Sequence, residues 1–180
     1  MINDFEKVLI SKEQLNAKIK EMANQISNDY KGKTPLFICI LKGSIFFTAD
    51  LLKNLTIPAQ IECMAVSSYG AGSKSSGEVK VVKDLNVAIN GKDVIIVEDI
   101  VDSGNTLSYL KRLLLQREPA SLKICTLLDK PERRRVEIDV DYTGFEIPDE
   151  FVVGYGLDYA ENYRQLDQIY VLKRQVYEKN

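Results

Sequence analysis

Val94-Ile95-Ile96-Val97-Glu98-Asp99-Ile100-Val101-Asp102-Ser103-Gly104-Asn105-Thr106 is the stretch whose reading decides the fold. Val94 to Val97 form a continuous β-branched run, too short for a helix of its own and suited to a parallel strand buried on both faces. Glu98 and Asp99 then place two adjacent carboxylates at the C-terminal end of that strand. Asp102 to Thr106 follow as a loop of small polar residues leading into a helix. In open α/β sheets, ligands bind outside the carboxyl ends of the strands. A glycine-containing turn at a helix N-terminus offers N–H groups and a partial positive charge, which suits a phosphate. Carboxylates beside such a site suit the hydroxyls of a sugar or a hard, oxygen-bound cation. Each part also has a plainer reading, as a solvated loop after a strand and an ordinary turn with a helix cap. Their contiguity favours a site.

The same logic repeats outward from this stretch. Pro35 to Leu41 reads as a second buried strand, ending in Lys42-Gly43-Ser44 before an apolar helix from about Ile45 to Leu52. Spacing alone makes Lys42-Gly43-Ser44 a turn and a cap. Upstream, Ser11 and Gln14 form a capping box, and Leu15, Ile19, Met22 and Ile26 keep one face of the following helix apolar. Ala59 to Ser67 is a third strand. After Ser68 and Tyr69 comes Gly-Ala-Gly-Ser-Lys-Ser-Ser-Gly, whose composition predicts a mobile loop. Val79 to Ile89 and Asp93 to Glu98 flank Asn90-Gly91, a hairpin signal between two strand-like runs. Downstream, the organising loop leads into a helix ending near Arg117, before Pro119. Leu122 to Leu128 is a further buried strand that delivers Asp129 and Lys130 at its end. Glu132-Arg133-Arg134-Arg135 is a local basic cluster, read as a solvated or subunit-contact face, with an arginine there able to balance nearby carboxylates. No internal repeat or linker is visible, and a chain of 180 residues is expected to be one domain with a proper core.

Composition removes several classes of function. The formal net charge of −2 argues against nucleic acid as a main partner, because phosphate-backbone binding shows as a basic surface. No apolar run approaches membrane-spanning length, and the N-terminal residues lack a basic and apolar signal region. Cys39, Cys63 and Cys125 sit singly in apolar segments. That argues against a disulfide framework or a zinc site, and for buried thiols in a reducing cytoplasm. Histidine is absent altogether. Ser-His-Asp and Cys-His mechanisms are therefore excluded, as is His-ligated zinc. Acid–base chemistry must rest on carboxylates, lysines or tyrosines, and any metal site must be oxygen-rich, which points to Mg²⁺ or Mn²⁺.

The stretch from 94 to 106 closely resembles the phosphoribosyl-diphosphate (PRPP) signature of type I phosphoribosyltransferases. The resemblance extends from about residue 5 to 172, and the pattern is similar to that of the bacterial hypoxanthine-guanine branch. It implies a mostly parallel twisted sheet flanked by helices, with a small hood formed by the N-terminal segment and the region after about residue 130. Leu41-Lys42-Gly43-Ser44 looks like that branch's diphosphate-binding loop, with a non-prolyl cis bond between Leu41 and Lys42. Ser68-Tyr69 resembles the start of a flexible loop that closes over the substrate. Phe151-Val-Val-Gly-Tyr-Gly-Leu-Asp158 resembles the purine-binding region. By resemblance, Phe151 stacks on the base, Val152 presents main-chain groups to its edge, Asp158 lies near a metal, and Arg164 reaches the diphosphate.

The implied roles complete an active site. Asp102, Ser103, Gly104, Asn105 and Thr106 would hold the 5′-phosphate, Asn105 standing where many relatives carry a basic residue. Glu98 and Asp99 would meet the ribose hydroxyls directly or through Mg²⁺, giving Glu98, Asp99 and Asp158 as the metal carboxylates. Lys42, Gly43 and Arg164 would receive the diphosphate. Lys130 would donate to the exocyclic oxygen of a 6-oxopurine, and Asp102, as catalytic base, would take the proton from it. The implied reaction converts PRPP and hypoxanthine, or guanine, into IMP or GMP and diphosphate, in a cytoplasmic homodimer or homotetramer with no membrane or nucleic-acid partner. Two other classes fit the sequence less well. A PRPP-fold regulator that binds RNA or DNA fits poorly with Asp102 and the near-neutral charge. A generic dehydrogenase domain lacks its Gly-x-Gly-x-x-Gly after a strand.

Overall fold

The computed structural model describes residues 2–68 and 79–178. A six-stranded sheet has the order β4-β3-β2-β5-β6-β7, made of β2 (Leu36–Leu41), β3 (Gln60–Ser68), β4 (Val79–Lys83), β5 (Asp93–Val101), β6 (Ser121–Asp129) and β7 (Tyr142–Glu146). All neighbours run parallel except β3 and β4. A second sheet, β1-β9-β8, joins the two ends of the chain through β1 (Phe5–Ile10), β8 (Val152–Val153) and β9 (Ile169–Leu172). Although β7 also follows residue 130, it is an edge of the large sheet.

Alternation along the central strands divides the core. Phe37, Ile95, Val97, Cys125 and Leu127 face one side, where they pack with α1 (Lys12–Asp29) and α2 (Ile45–Lys53). Ile38, Ile40, Val94, Ile96 and Ile124 face the other, with Leu107, Leu110 and Leu114 of α3 (Asn105–Leu115). A strand covered on both faces needs apolar residues at every position, and Val94 to Val97 are all fully buried. The capping box of α1 is present, with Ser11 Oγ accepting from Gln14 N and Gln14 Oε1 accepting from Ser11 N. Cys39, Cys63 and Cys125 are free thiols. Among the described residues no helix is long and apolar enough to cross a membrane.

The hairpin expected at Asn90-Gly91 does not form. Strand β4 stops at Lys83 and pairs with β3, while β5 lies between β2 and β6. The apolar run of β5 claims the sheet centre, and both its edges are taken by parallel neighbours. Asn90-Gly91 instead makes a turn in which Gly91 has φ 71° and donates its N–H to Glu118 O at 3.0 Å. Lys42-Gly43-Ser44 also departs from a simple turn and cap. Ser44 is buried and donates its hydroxyl back to Ile40 O at 2.8 Å, leaving no side-chain cap on α2. The peptide bond between Leu41 and Lys42 is cis.

Strand order reverses between β2 and β5, since β3 and β4 extend the sheet to one side and β6 and β7 to the other. The crevice at such a switch point, outside the carboxyl ends of the strands, is where open α/β sheets bind ligands. The loops after β2 and β5 flank it.

Candidate active site

The backbone of the loop after β5 has the features that suit an anion. Gly104 caps α3 with φ 84°, a backbone region that disfavours side chains, and a Cβ there would stand 2.8 Å from Val136 O. The first helical bond runs from Ser108 N to Gly104 O at 2.9 Å, so the amides of Thr106 and Leu107 precede it and carry the positive end of the helix dipole. Ser103 Oγ accepts from Asn105 N at 3.3 Å. Behind the loop, Ser103 O accepts from Arg135 N at 2.9 Å and Val136 N at 3.0 Å, which ties it to the segment after β6. A cleft of about 270 Å³ opens over the loop, lined by Glu98, Asp102, Ser103, Gly104 and Thr106 among others.

A second cleft, of about 230 Å³, adjoins it and is lined by Asp99, Ile100, Asp102, Lys130, Phe151, Val152, Leu157 and Asp158. It joins the end of β6 to the start of β8, so both sheets contribute. Apolar walls with an amine at one end suit a flat heterocycle bearing an acceptor. The Lys130 side chain is 8% exposed and burial pushes its pKa down, opposed by the Asp102 charge. Its Nζ lies 3.8 Å from Asp102 Oδ1. The Phe151 ring is backed by Tyr177 at 4.6 Å, nearly parallel, and met edge-on by Tyr159 at 5.7 Å. Asp102 lines both clefts. It does not cap α3, since Gly104 holds that position without a side-chain bond.

Burial raises the pKa of both Glu98 and Asp99 from their ordinary values, that of Glu98 well above it, where the Asp99 charge adds to the effect. Asp99 Oδ1 accepts from Ile100 N at 2.8 Å, and its carboxylate lies so close to Gly43 that a Cβ there would overlap it. Asp158 instead faces Arg164 at 3.0 Å. Glu98, Asp99 and Asp158 are thus spread over adjoining clefts. Among the described residues no group of three such side chains is gathered to hold a metal ion.

On the other side of the crevice, Arg164 donates to Gly156 O at 2.7 Å, and its Nε is buried without a hydrogen-bond partner. Glu161, which sequence reasoning passed over, links Lys42 to Arg164. No local pattern marks it, because its contact with Lys42 depends on the fold bringing the segment after β8 against the loop after β2. Tyr177 was passed over for the same reason. The arginine cluster lies beside the 102–106 loop. Arg133 pairs with Asp149 at 3.1 Å, Arg134 pairs with Asp129, and a cleft of about 650 Å³ runs between Asn105 and these residues. Ser68 ends β3, while Tyr69 and the glycine-serine segment lie outside the described residues.

The chain is similar to known proteins along most of its length. Residues 11–160 match the model of the phosphoribosyl transferase domain, and the chain belongs to that family, with the type I phosphoribosyltransferase fold. It is 52% identical to the hypoxanthine-guanine phosphoribosyltransferase of Bacillus subtilis, over 99% of both chains, and 51% identical to that of Streptococcus agalactiae, over 98% of both. It is also 52% identical to the bifunctional TilS/HprT protein of Listeria monocytogenes, over 98% of this chain but only 27% of that protein's length. A hypoxanthine phosphoribosyltransferase structure from Staphylococcus aureus superposes with a TM-score of 0.95 at 48% identity, covering 99% of this chain and 97% of that one.

Proposed function

We propose that this chain transfers the ribose 5-phosphate group of PRPP to N9 of hypoxanthine, and also of guanine, giving IMP or GMP and diphosphate in purine salvage. The observation that carries this reading is the placement of Asp102 where the phosphate-loop cleft meets the cleft of Lys130 and Phe151. A group there reaches both the sugar phosphate and the base, as a reaction joining the two requires. Family membership and the names of relatives identical at about half of all positions support it.

The 5′-phosphate sits on the amides of the 102–106 loop. The base lies against Phe151, with Lys130 donating to its exocyclic oxygen and the main chain of Val152 at its edge. As the bond from C1 to diphosphate lengthens, positive charge develops on the sugar and negative charge on the leaving group. Lys42, the Gly43 main chain and Arg164 stabilise the departing diphosphate. Asp102 accepts the purine proton as N9 attacks. The carboxylates also fit a divalent cation. Glu98 and Asp99 stand adjacent in a buried setting that penalises their charge, and Mg²⁺ is commonly bound by one or two carboxylates together with substrate phosphates. Glu98, Asp99 and Asp158 are the carboxylates that would hold Mg²⁺ or Mn²⁺, which would supply neutralisation of charge on the diphosphate.

Initial-rate assays with PRPP, Mg²⁺ and each purine base in turn test the reading. Turnover with hypoxanthine and guanine is expected. Absence of turnover with either base would overturn it, and measurable affinity for a nucleic acid in its place would favour the regulatory class.

A further inference from the structure

Glu161 occupies a telling position between the two cations assigned above to the diphosphate. Its Oε2 accepts from Lys42 Nζ at 2.6 Å, and its Oε1 lies 3.2 Å from Arg164 Nη2. The first contact spans 119 positions of sequence, so it is a product of the fold. The backbone is shaped to present this carboxylate. Ala160 and Glu161 have φ values of 49° and 65°, a region non-glycine residues rarely enter, and Glu161 N donates to Asp158 Oδ2 at 2.9 Å. Asp158 itself holds Arg164 at 3.0 Å. The two cations are therefore bridged by a two-oxygen anion of the chain's own.

We infer that Glu161 is a tethered competitor for the diphosphate subsite, whose carboxylate is displaced when PRPP binds and returns as diphosphate leaves. The inference rests on the assignment of Lys42 and Arg164 to the diphosphate. Its physical basis is a comparison of two anions at one site. The side chains of Lys42 and Glu161 are 66% and 64% exposed, so solvent screens their pair and the contact is weak. A diphosphate carries more charge and more acceptor oxygens, and it wins the exchange. Breaking the existing pairs still subtracts from its affinity. That subtraction applies equally to PRPP and to released diphosphate, and it hastens departure of a product that would otherwise cling to the site. The opposite role would be preorganisation, with Glu161 holding Lys42 and Arg164 ready for the ligand. The two roles differ in sign.

Glu161→Gln keeps the shape and removes the charge. Calorimetric titration with inorganic diphosphate and Mg²⁺ should show binding about 2–10-fold tighter than wild type, the range expected for losing two exposed ionic contacts. KM for PRPP should fall with it and KM for hypoxanthine should not move. The gain should shrink as salt is raised. Unchanged or weaker diphosphate binding overturns the competitor role, the weaker case establishing preorganisation instead. Lys42→Ala and Arg164→Ala in the same titration separate the two levels of the argument. If both lose diphosphate affinity while Glu161→Gln does not gain it, the competitor fails and the subsite stands. If neither loses affinity, the subsite assignment fails and the inference with it.

Discussion

Asp102 separates two roles that one aspartate can play at the head of a helix. Because Gly104 caps α3 and the Asp102 side chain is 49% exposed at the junction of the clefts, it is free to act on the ligand. Asp102→Asn keeps the shape and the acceptor oxygen but cannot take a proton. It should leave PRPP affinity within a few-fold and lower kcat and kcat/KM together by about 10²–10⁴. Single-turnover measurement must show the chemical step slowed, and a normal single-turnover rate would remove the base role. Lys130 offers a second test at this scale. Its pKa is depressed by burial, so the folded protein holds that proton less tightly than the unfolded chain. Below the folded pKa the charge costs stability in full; the cost falls as pH rises from the folded value towards the unfolded one and is gone only above the unfolded value. Lys130→Met should therefore keep its Tm at neutral pH. Losing the donor should raise KM for hypoxanthine by about 10–100-fold, with KM for PRPP little changed. Wild-type kcat/KM for adenine should lie roughly 10⁴-fold below that for hypoxanthine, because adenine leaves the buried amine unpaired. Comparable values for the two bases would take Lys130 out of base recognition.

Among the elements, the loop between β5 and α3 is the one on which the site depends most, and its tolerance is set by Gly104. Alanine at that position meets both the left-handed φ and Val136 O at 2.8 Å. Gly104→Ala should cost about 1–3 kcal/mol in denaturant unfolding and raise KM for PRPP more than for hypoxanthine. An unfolding midpoint like the wild type's would show that the loop relaxes easily. This element was also the most legible in the sequence, because its signals are contiguous: a β-branched run, two carboxylates, a small polar turn. Strand β2 was legible for the same reason, but its loop was not: spacing alone made Lys42-Gly43-Ser44 a turn and a cap, whereas Ser44 is buried and bonds back to Ile40 O. Asn90-Gly91 misled because a dipeptide reports only the turn it makes, while the partner of β5 is decided by which strand must be buried on both faces. Glu161 and Tyr177 left no local trace, since each matters through one contact with a residue far away in sequence. The carboxylates Glu98, Asp99 and Asp158 could be named from the sequence, but their spread over adjoining clefts could not.

On the scale of the whole molecule, the decisive quantity is charge at the crevice. The reading brings a substrate with a 5′-phosphate and a diphosphate into a site that already holds Glu98, Asp99, Asp102 and Asp158. Among the described residues the cations facing these carboxylates are largely engaged: Lys42 with Glu161, Arg164 with Glu161 and Asp158, Lys130 facing Asp102, and, in the cleft beside the 102–106 loop, Arg133 with Asp149 and Arg134 with Asp129, next to Arg135. Nor can the protein as a whole supply the deficit, with its formal net charge of −2 and no histidine. Two unit charges about 4 Å apart near a protein surface interact by roughly 4 kcal/mol, so uncompensated carboxylates and phosphates at this crevice would oppose binding strongly. On the proposed reading a divalent cation carried in with the diphosphate would be the remedy, and an oxygen-only donor set would favour Mg²⁺ or Mn²⁺ over softer metals. Exhaustive chelation should therefore abolish turnover, and Mg²⁺ or Mn²⁺ should restore it. PRPP binding measured by calorimetry should weaken in the metal-free protein, whereas the far-ultraviolet circular dichroism and Tm should hold, because the carboxylates are spread over adjoining clefts and no structural metal cage is present among the described residues. Full turnover after chelation would mean that Lys42 and Arg164 alone balance the diphosphate. A collapse of Tm on chelation would assign the metal to the fold and not to the reaction.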